Sequence, residues 1–236
     1  MTTIVSHRAC RGHEPENTLR GMRRALSMKA DAIEIDVRRC RTGEVVLMHD
    51  KTLERTTNGE GYVARHSFTY IARLNAGTRE AVPTLEQALA LVRDRATLVI
   101  EIKDDRASAD VARIVKAAIR VKRASYQRII VSSFSRTALR LVREQDRRVK
   151  LSLVSVRAPR GLVQLHADIK LHSVCLRHAS VDRAVLDQAR SLGLQVFAWT
   201  VNEQKEIARM VEFDVDGIIS DYPDRVRVQV GHPARR

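Results

Sequence analysis

The sequence predicts an α/β fold, a parallel (β/α)8 barrel formed by one domain over residues 1–236. Three observations predict it. Short apolar runs alternate with amphipathic stretches along most of the chain. Strand-like runs are centred on Ile4, Ile35, Val46, Val99, Ile130, Leu153, Cys175, Phe197 and Ile218, and eight strands alternating with helices close a parallel barrel. The length of 236 residues lies just under the roughly 250 typical of such barrels. A doubly wound open sheet is the competing architecture. It would place a Gly-rich nucleotide turn after the first strand, and here that strand ends in Ser6-His7-Arg8.

The elements follow in order. Thr3–Ser6 is the first strand. From Thr18 to Met28, Leu19, Met22, Ala25 and Leu26 share one helical face. Ala32–Val37 is a strand, and Val45–Met48 is another after the Thr42-Gly43 turn. No helix separates these two, so one of them belongs to a hairpin or an insertion. Residues 51–82 read as a mostly irregular insertion punctuated by Gly59, Gly61 and Gly77. Thr84 is placed to cap a helix running to about Arg93, with Gln87 at the capping-box position. Strand Thr97–Ile102 then precedes helix Ser108–Arg123, and strand Arg128–Ser132 precedes helix Arg136–Gln145. Strand Lys150–Val154 leads to a helical turn near Gly161–His166, and strand Ser173–Leu176 to helix Asp182–Ser191. Strand Gln195–Trp199 leads to helix Glu203–Val211, and Gly217–Ser220 is the last strand.

Composition narrows the function. The net charge is +14, with 42 Lys+Arg against 28 Asp+Glu, which favours anionic partners such as phosphate esters, lipid surfaces or nucleic acid. Nucleic acid is disfavoured as the primary partner: only 4% of residues are aromatic, and sequence-tolerant strand binders stack bases on aromatic rings. No apolar run reaches the ~20 residues of a membrane span, and no amphipathic anchor helix is evident. The N-terminal residues lack the basic and apolar regions of a secretory signal. Cys10, Cys40 and Cys175 are odd in number and far apart, which argues against a disulfide framework. A cytoplasmic location is therefore expected.

In parallel barrels the chemistry sits at the C-terminal ends of the strands. The polar residues there are His7 and Arg8, then Glu34 and Asp36, then His49 and Asp50, then Glu101 and Lys103. Glu34 and Asp36 are two apart on a strand and project to one face, as do Glu101 and Lys103. Three converging carboxylates repel one another unless a cation or protons lie between them. Oxygen ligands of this kind select Mg²⁺ or Ca²⁺, so Glu34, Asp36 and Glu101 are the candidate ligands of one divalent cation. His7 and His49 are the candidate acid–base pair, since imidazole titrates near neutrality. Arg8 and Lys103 supply positive charge for phosphoryl oxygens. Together these groups suit phosphodiester cleavage. His13, His66, His166, His172, His178 and His232 are read as structural.

With these residues in place, the chain resembles the glycerophosphodiester phosphodiesterase family. The resemblance is carried by His7-Arg8, Pro15-Glu16-Asn17-Thr18, Ala30-Asp31-Ala32-Ile33-Glu34-Ile35-Asp36-Val37 and Val46-Leu47-Met48-His49-Asp50, followed by Leu53 to Gly59. It continues through Pro83-Thr84-Leu85-Glu86, Glu101-Ile102-Lys103, Ser132-Ser133-Phe134, Trp199-Thr200-Val201-Asn202 and Asp216 to Asp221. The order of these segments carries the specificity. The resemblance implies a TIM barrel with a small insertion after His49, and hydrolysis of small glycerophosphodiesters to glycerol 3-phosphate and an alcohol. It implies attack on phosphorus by the substrate's own glycerol hydroxyl, then opening of the cyclic phosphate by water. It also implies that Trp199 lines the substrate pocket, with a core aromatic at a barrel strand as the alternative reading.

Two departures from the family pattern stand out. Ala9 occupies a position usually held by Gly, where a Cβ crowds the backbone or opposes a positive φ. Only Thr78–Val82 separates Asn75-Ala76-Gly77 from Pro83, a stretch often longer in relatives, which bears on how the glycerol end of the pocket is covered. Two alternative functions are a lysophospholipase D or cyclic-phosphate-forming lyase acting on lysolipids, and a non-catalytic phosphate or nucleic-acid binder. The latter predicts loss of a catalytic residue, yet His7, Glu34, Asp36, His49 and Glu101 are all present. The leaving alcohol, the choice of cation and any homo-oligomer are left open.

Overall fold

Eight parallel strands close on themselves in the computed structural model, which describes residues 1–231; His232 lies outside them. In chain order the elements begin with β1 (Thr3–Ser6), α1 (Leu19–Ser27), β2 (Ala32–Arg39) and β3 (Val45–Leu47). Next come α2 (Phe68–Ile71), α3 (Leu85–Val92), β4 (Thr97–Ile102), α4 (Ser108–Arg120), β5 (Ile129–Ser133) and α5 (Arg136–Gln145). They are followed by β6 (Lys150–Ser155), α6 (Leu162–Ile169), β7 (Ser173–Arg177), α7 (Arg183–Ser191), β8 (Gln195–Trp199), α8 (Gln204–Glu212), β9 (Gly217–Ser220) and α9 (Pro223–Gln229). Pairing runs β1-β9-β8-β7-β6-β5-β4-β2, and β1 also pairs with β2. That last pairing closes the TIM barrel and removes the open doubly wound sheet. β3 pairs antiparallel with β2, Val37 opposite Leu47, so it is the hairpin strand of the adjacent pair.

The alternation of side chains builds two cores. Val5, Ala32, Val99, Ile130, Val154, Cys175, Phe197 and Ile219 supply one residue from each barrel strand and fill the interior as a ring. Their chain neighbours, among them Ile4, Ile33, Ile100, Val131, Val174 and Ile218, face outward into the helices. Full burial of each such aliphatic side chain stabilises the fold by about 1.5–3 kcal/mol. Gly217 is required by the ring: a Cβ there would lie 2.3 Å from the Phe197 ring.

Helix starts follow the sequence signals. Thr18 Oγ1 accepts the Gly21 N–H, Ser135 Oγ the Ala138 N–H, and Asp182 Oδ1 the Val185 N–H. Thr84 and Gln87 form a reciprocal capping box. The helix expected to end at Arg123 ends at Arg120, and the turn near Gly161–His166 is a helix reaching Ile169. α9, absent from the sequence reading, follows the last strand with Pro223 in its first turn. Residues 51–82 carry α2 and a 3₁₀ turn at Val63–Arg65. They form a small core of their own, in which Leu53, Val63, Ile71, Leu74 and Val82 pack with Cys40, Val46 and Met48.

Candidate active site

The interior ring fixes what lies above it. Two residues beyond Val5, Ala32, Val99, Ile130, Phe197 and Ile219 come His7, Glu34, Glu101, Ser132, Trp199 and Asp221. Period two keeps them on the inward side, toward the C-terminal mouth of the barrel. Register completes the set, with Asp36 directly opposite Glu101. A cavity of about 190 Å³ opens here, lined by His7, Arg8, Glu34, His49, Glu101 and Lys103 and walled by Phe134 and Trp199. Glu34, Asp36 and Glu101 each offer an oxygen within 4.8 Å of the others.

These carboxylates are buried, and their surroundings separate them. Burial pushes the Glu34 carboxyl well above the ordinary range, and Asp36 and Glu101 push it further. Burial raises Glu101 to about 7 against the opposing pull of Lys103. Asp36 is also raised by burial, but Lys103, His49, Arg8 and Asn17 together hold it below the ordinary value. Lys103 Nζ sits 3.2 Å from Asp36 Oδ1 and against Glu101. Glu34 Oε1 is buried without a hydrogen-bond partner. Three buried hard-oxygen donors, one of them orphaned, fit a hard divalent cation.

The loop after β1 is strained. Arg8, Ala9 and Cys10 have φ of 45°, 71° and 142°, so the Cβ of Ala9 does not prevent a left-handed backbone. Such conformations cost on the order of 1–3 kcal/mol each. The surroundings hold them: the Arg8 N–H donates to Glu34 Oε2 at 2.8 Å, the Asn17 N–H donates to the Arg8 carbonyl at 2.9 Å, and the Cys10 N–H donates to that of His7 at 3.1 Å. The result presents His7, with its Nε2 4.0 Å from Glu34 Oε2.

Both histidines are oriented by carboxylates. His7 Nδ1 lies 2.6 Å from Asp221 Oδ1, and His49 Nδ1 lies 2.6 Å from Asp50 Oδ1. A carboxylate only accepts, so each ring carries its N–H at Nδ1 and leaves Nε2 free. Burial lowers the His49 value. Asp50 is held at about 2, chiefly by Arg55. Arg55 also reaches Glu16 at 2.7 Å, and Arg8 meets Glu16 at 3.2 Å and Asp36 at 3.5 Å. One chain of charges thus runs around the rim from His49 to the carboxylate cluster.

Several contributors were not assigned in the sequence reading. Asn17 spans Asp36, donating from Nδ2 to its carboxylate at 2.9 Å and accepting its backbone N–H at 3.0 Å. Asn202 donates to Asp221 at 2.8 Å. Arg38 donates to the carbonyls of His49 and Lys103, tying two loops together. Phe134 stands edge-on to Trp199 at 5.6 Å, under the Lys103 ammonium. The Trp199 indole N–H is taken by the Cys175 carbonyl at 3.1 Å, so its ring offers the cavity an apolar wall. Glu16, Asn17, Phe134, Asn202 and Asp221 all stand inside the sequence segments quoted above; that membership was the available signal.

The model of the glycerophosphoryl diester phosphodiesterase family matches residues 7–225. The chain belongs to that family. It is therefore an enzyme, a phosphoric diester hydrolase. A glycerophosphodiester phosphodiesterase from Caldanaerobacter subterraneus subsp. tengcongensis is 32% identical over 94% of this chain and 95% of its own. The structure of a glycerophosphodiester phosphodiesterase from Agrobacterium tumefaciens is 28% identical with a TM-score of 0.82, covering 97% of this chain and all of that one. An Oleispira antarctica phosphodiesterase, solved with sn-glycerol-3-phosphate as product, shares the fold at 22% identity and a TM-score of 0.90, with 98% of both chains covered. No helix among the described residues is long and apolar enough to cross a membrane.

Proposed function

We propose that this enzyme hydrolyses small glycerophosphodiesters to glycerol 3-phosphate and an alcohol, with one Mg²⁺ or Ca²⁺ held by Glu34, Asp36 and Glu101. The carrying observation is the buried carboxylate cluster flanked by two histidines, each oriented by its own aspartate. The cation would neutralise charge on the phosphoryl oxygens and lower the cost of an anionic attacking oxygen. Arg8 and Lys103 line the same cavity and add fixed positive charge for those oxygens.

His7 and His49 move the protons. One free Nε2 accepts the proton of the glycerol hydroxyl as its oxygen bonds to phosphorus. The other gives a proton to the departing alcohol oxygen as its bond to phosphorus breaks. Water then opens the cyclic phosphate with the two roles exchanged. The adjacent hydroxyl supplies a high effective molarity for the first step. Trp199 and Phe134 form the apolar side of the cavity, against the substrate's carbon skeleton.

The small cavity supports soluble glycerophosphodiesters over lysolipids. We read 51–82 as an insertion within one barrel domain of 1–236. We place the enzyme in the cytoplasm, a reading supported by three free, buried cysteines. The test is release of glycerol 3-phosphate from choline, ethanolamine, serine, glycerol and inositol diesters, with lysophosphatidylcholine in parallel. Release from the soluble diesters far above the lysolipid is expected. Preference for the lysolipid would overturn the substrate reading.

A further inference from the structure

A second cavity, of about 600 Å³, opens at the opposite end of the barrel from the active site. Its walls come from the N-terminal ends of the strands. Lys29 and Asp31 precede β2, Arg95 precedes β4 and Arg128 precedes β5, while Arg23 comes from α1 and Arg227 from α9. Five of these six side chains are cationic. Among the described residues, none of the five lies within ion-pair distance of a carboxylate. Asp31, the one acid, already accepts the Ile4 N–H at 2.9 Å. Arg227 is held by the Lys29 carbonyl, and its Nε is buried without a hydrogen-bond partner.

Five cations around one concavity repel one another, and Asp31 is the one acid among the lining residues. The five line one space within the ~300–1,000 Å³ range of small-ligand sites. Guanidinium groups match phosphate oxygens in pairs, and several of them favour a ligand carrying more than one phosphate. A concave site favours a soluble ligand over the flat surface of a bilayer.

We propose that this basal cavity is a binding site for a small polyphosphate-bearing anion, separate from the catalytic mouth. The site lies outside the cation and histidine chemistry and does not rest on the proposed substrate. α9 begins at Pro223, two residues after Asp221, the partner of His7, and carries Arg227, so one short helix connects the two ends of the barrel.

The test is calorimetric titration with inorganic pyrophosphate and tripolyphosphate, in excess chelator and at constant ionic strength. Wild-type protein, Arg23→Glu/Arg128→Glu, Arg95→Ala and Lys103→Met are compared, with circular dichroism checking the fold of each. Saturable binding near one equivalent is expected in the wild type and in Lys103→Met, where the catalytic mouth is altered. Weakening of about tenfold or more is expected in the double variant, and a smaller loss in Arg95→Ala. Three results would overturn the proposal: no saturable binding to wild type, equal binding by the basal variants, or loss only in Lys103→Met. Binding to phosphatidylglycerol vesicles without binding to the soluble anions would also overturn it, by making the face a membrane contact. If the double variant does not fold, Arg95→Ala alone decides between loss and retention.

Discussion

Asp221, at the end of the last barrel strand, holds Nδ1 of His7, just after the first strand, at 2.6 Å. The two are 214 positions apart and meet because β1 pairs with β9. Barrel closure is therefore also what orients this imidazole. Asp221→Asn keeps the shape but removes the charge and leaves one acceptor oxygen for two donors, His7 Nδ1 and Asn202 Nδ2. kcat is expected to fall about ten- to a hundredfold with little change in KM. Unchanged kcat in steady-state kinetics would remove Asp221 from the site.

Cation binding should depend on pH with a defined sign. Glu101 is raised from 4.5 to about 7 by burial, despite Lys103, and Glu34 is raised in the same direction. A carboxyl whose folded value is raised favours the fold at low pH, and that contribution is lost as pH rises through about 7. The cation-free protein should therefore lose stability from about pH 4.5 upward through 7 from these groups, and a bound cation should offset the loss. The increase in Tm on adding Mg²⁺ or Ca²⁺ should grow between pH 5 and 8. A constant increment across that range in scanning calorimetry contradicts the cluster as the binding site.

His49 is lowered by burial, while the carboxylates of Asp36 and then Asp50 pull it upward. Asp50 itself stays ionised down to about pH 2, so it does not titrate in an assay near neutrality. Asp50→Asn removes its share of the upward pull and leaves that of Asp36. The acid limb of the kcat/KM profile assigned to His49 should then move to lower pH, along with a reduced plateau. Movement to higher pH would contradict the assigned pairing.

Gly217→Ala should destabilise the barrel by about 1–3 kcal/mol, since its Cβ meets the Phe197 ring. Phe197→Leu in the same chain should restore part of the loss. Urea unfolding of the single and double variants measures both, and additive losses would show that the contact is not the cause.

Much of the fold was legible because one face of each strand is aliphatic and several helices, α1, α3, α5 and α7 among them, begin with a capping side chain. The strand at Val46 was recognised, and of the hairpin and insertion readings left open for it the antiparallel hairpin holds; so short a run does not by itself choose between them. α9 escaped notice because Pro223–Gln229 buries only Pro223 and Val226, too few for a periodic signal. At the site, residues with unexpected chemistry on apolar strands stood out: Glu34, Asp36 and Glu101 share the inward face, and His7 stands where β1 ends. Residues that act through partners did not stand out. Asp221, Asn17, Glu16 and Arg38 are ordinary polar residues until closure brings His7, Asp36, Arg8 and His49 beside them. The left-handed backbone at Ala9 ran against local propensity; the hydrogen bonds that flank it join Arg8 to Glu34, 26 positions away, and to Asn17.

The most direct test of the central claim is coupled detection of glycerol 3-phosphate released from glycerophosphocholine by the wild type and Asp36→Ala. Each is assayed with Mg²⁺, with Ca²⁺ and with excess chelator. Turnover is predicted only for the wild type with a cation, with the variant lower by several orders of magnitude. Full wild-type turnover in excess chelator, or full activity of Asp36→Ala, would contradict it.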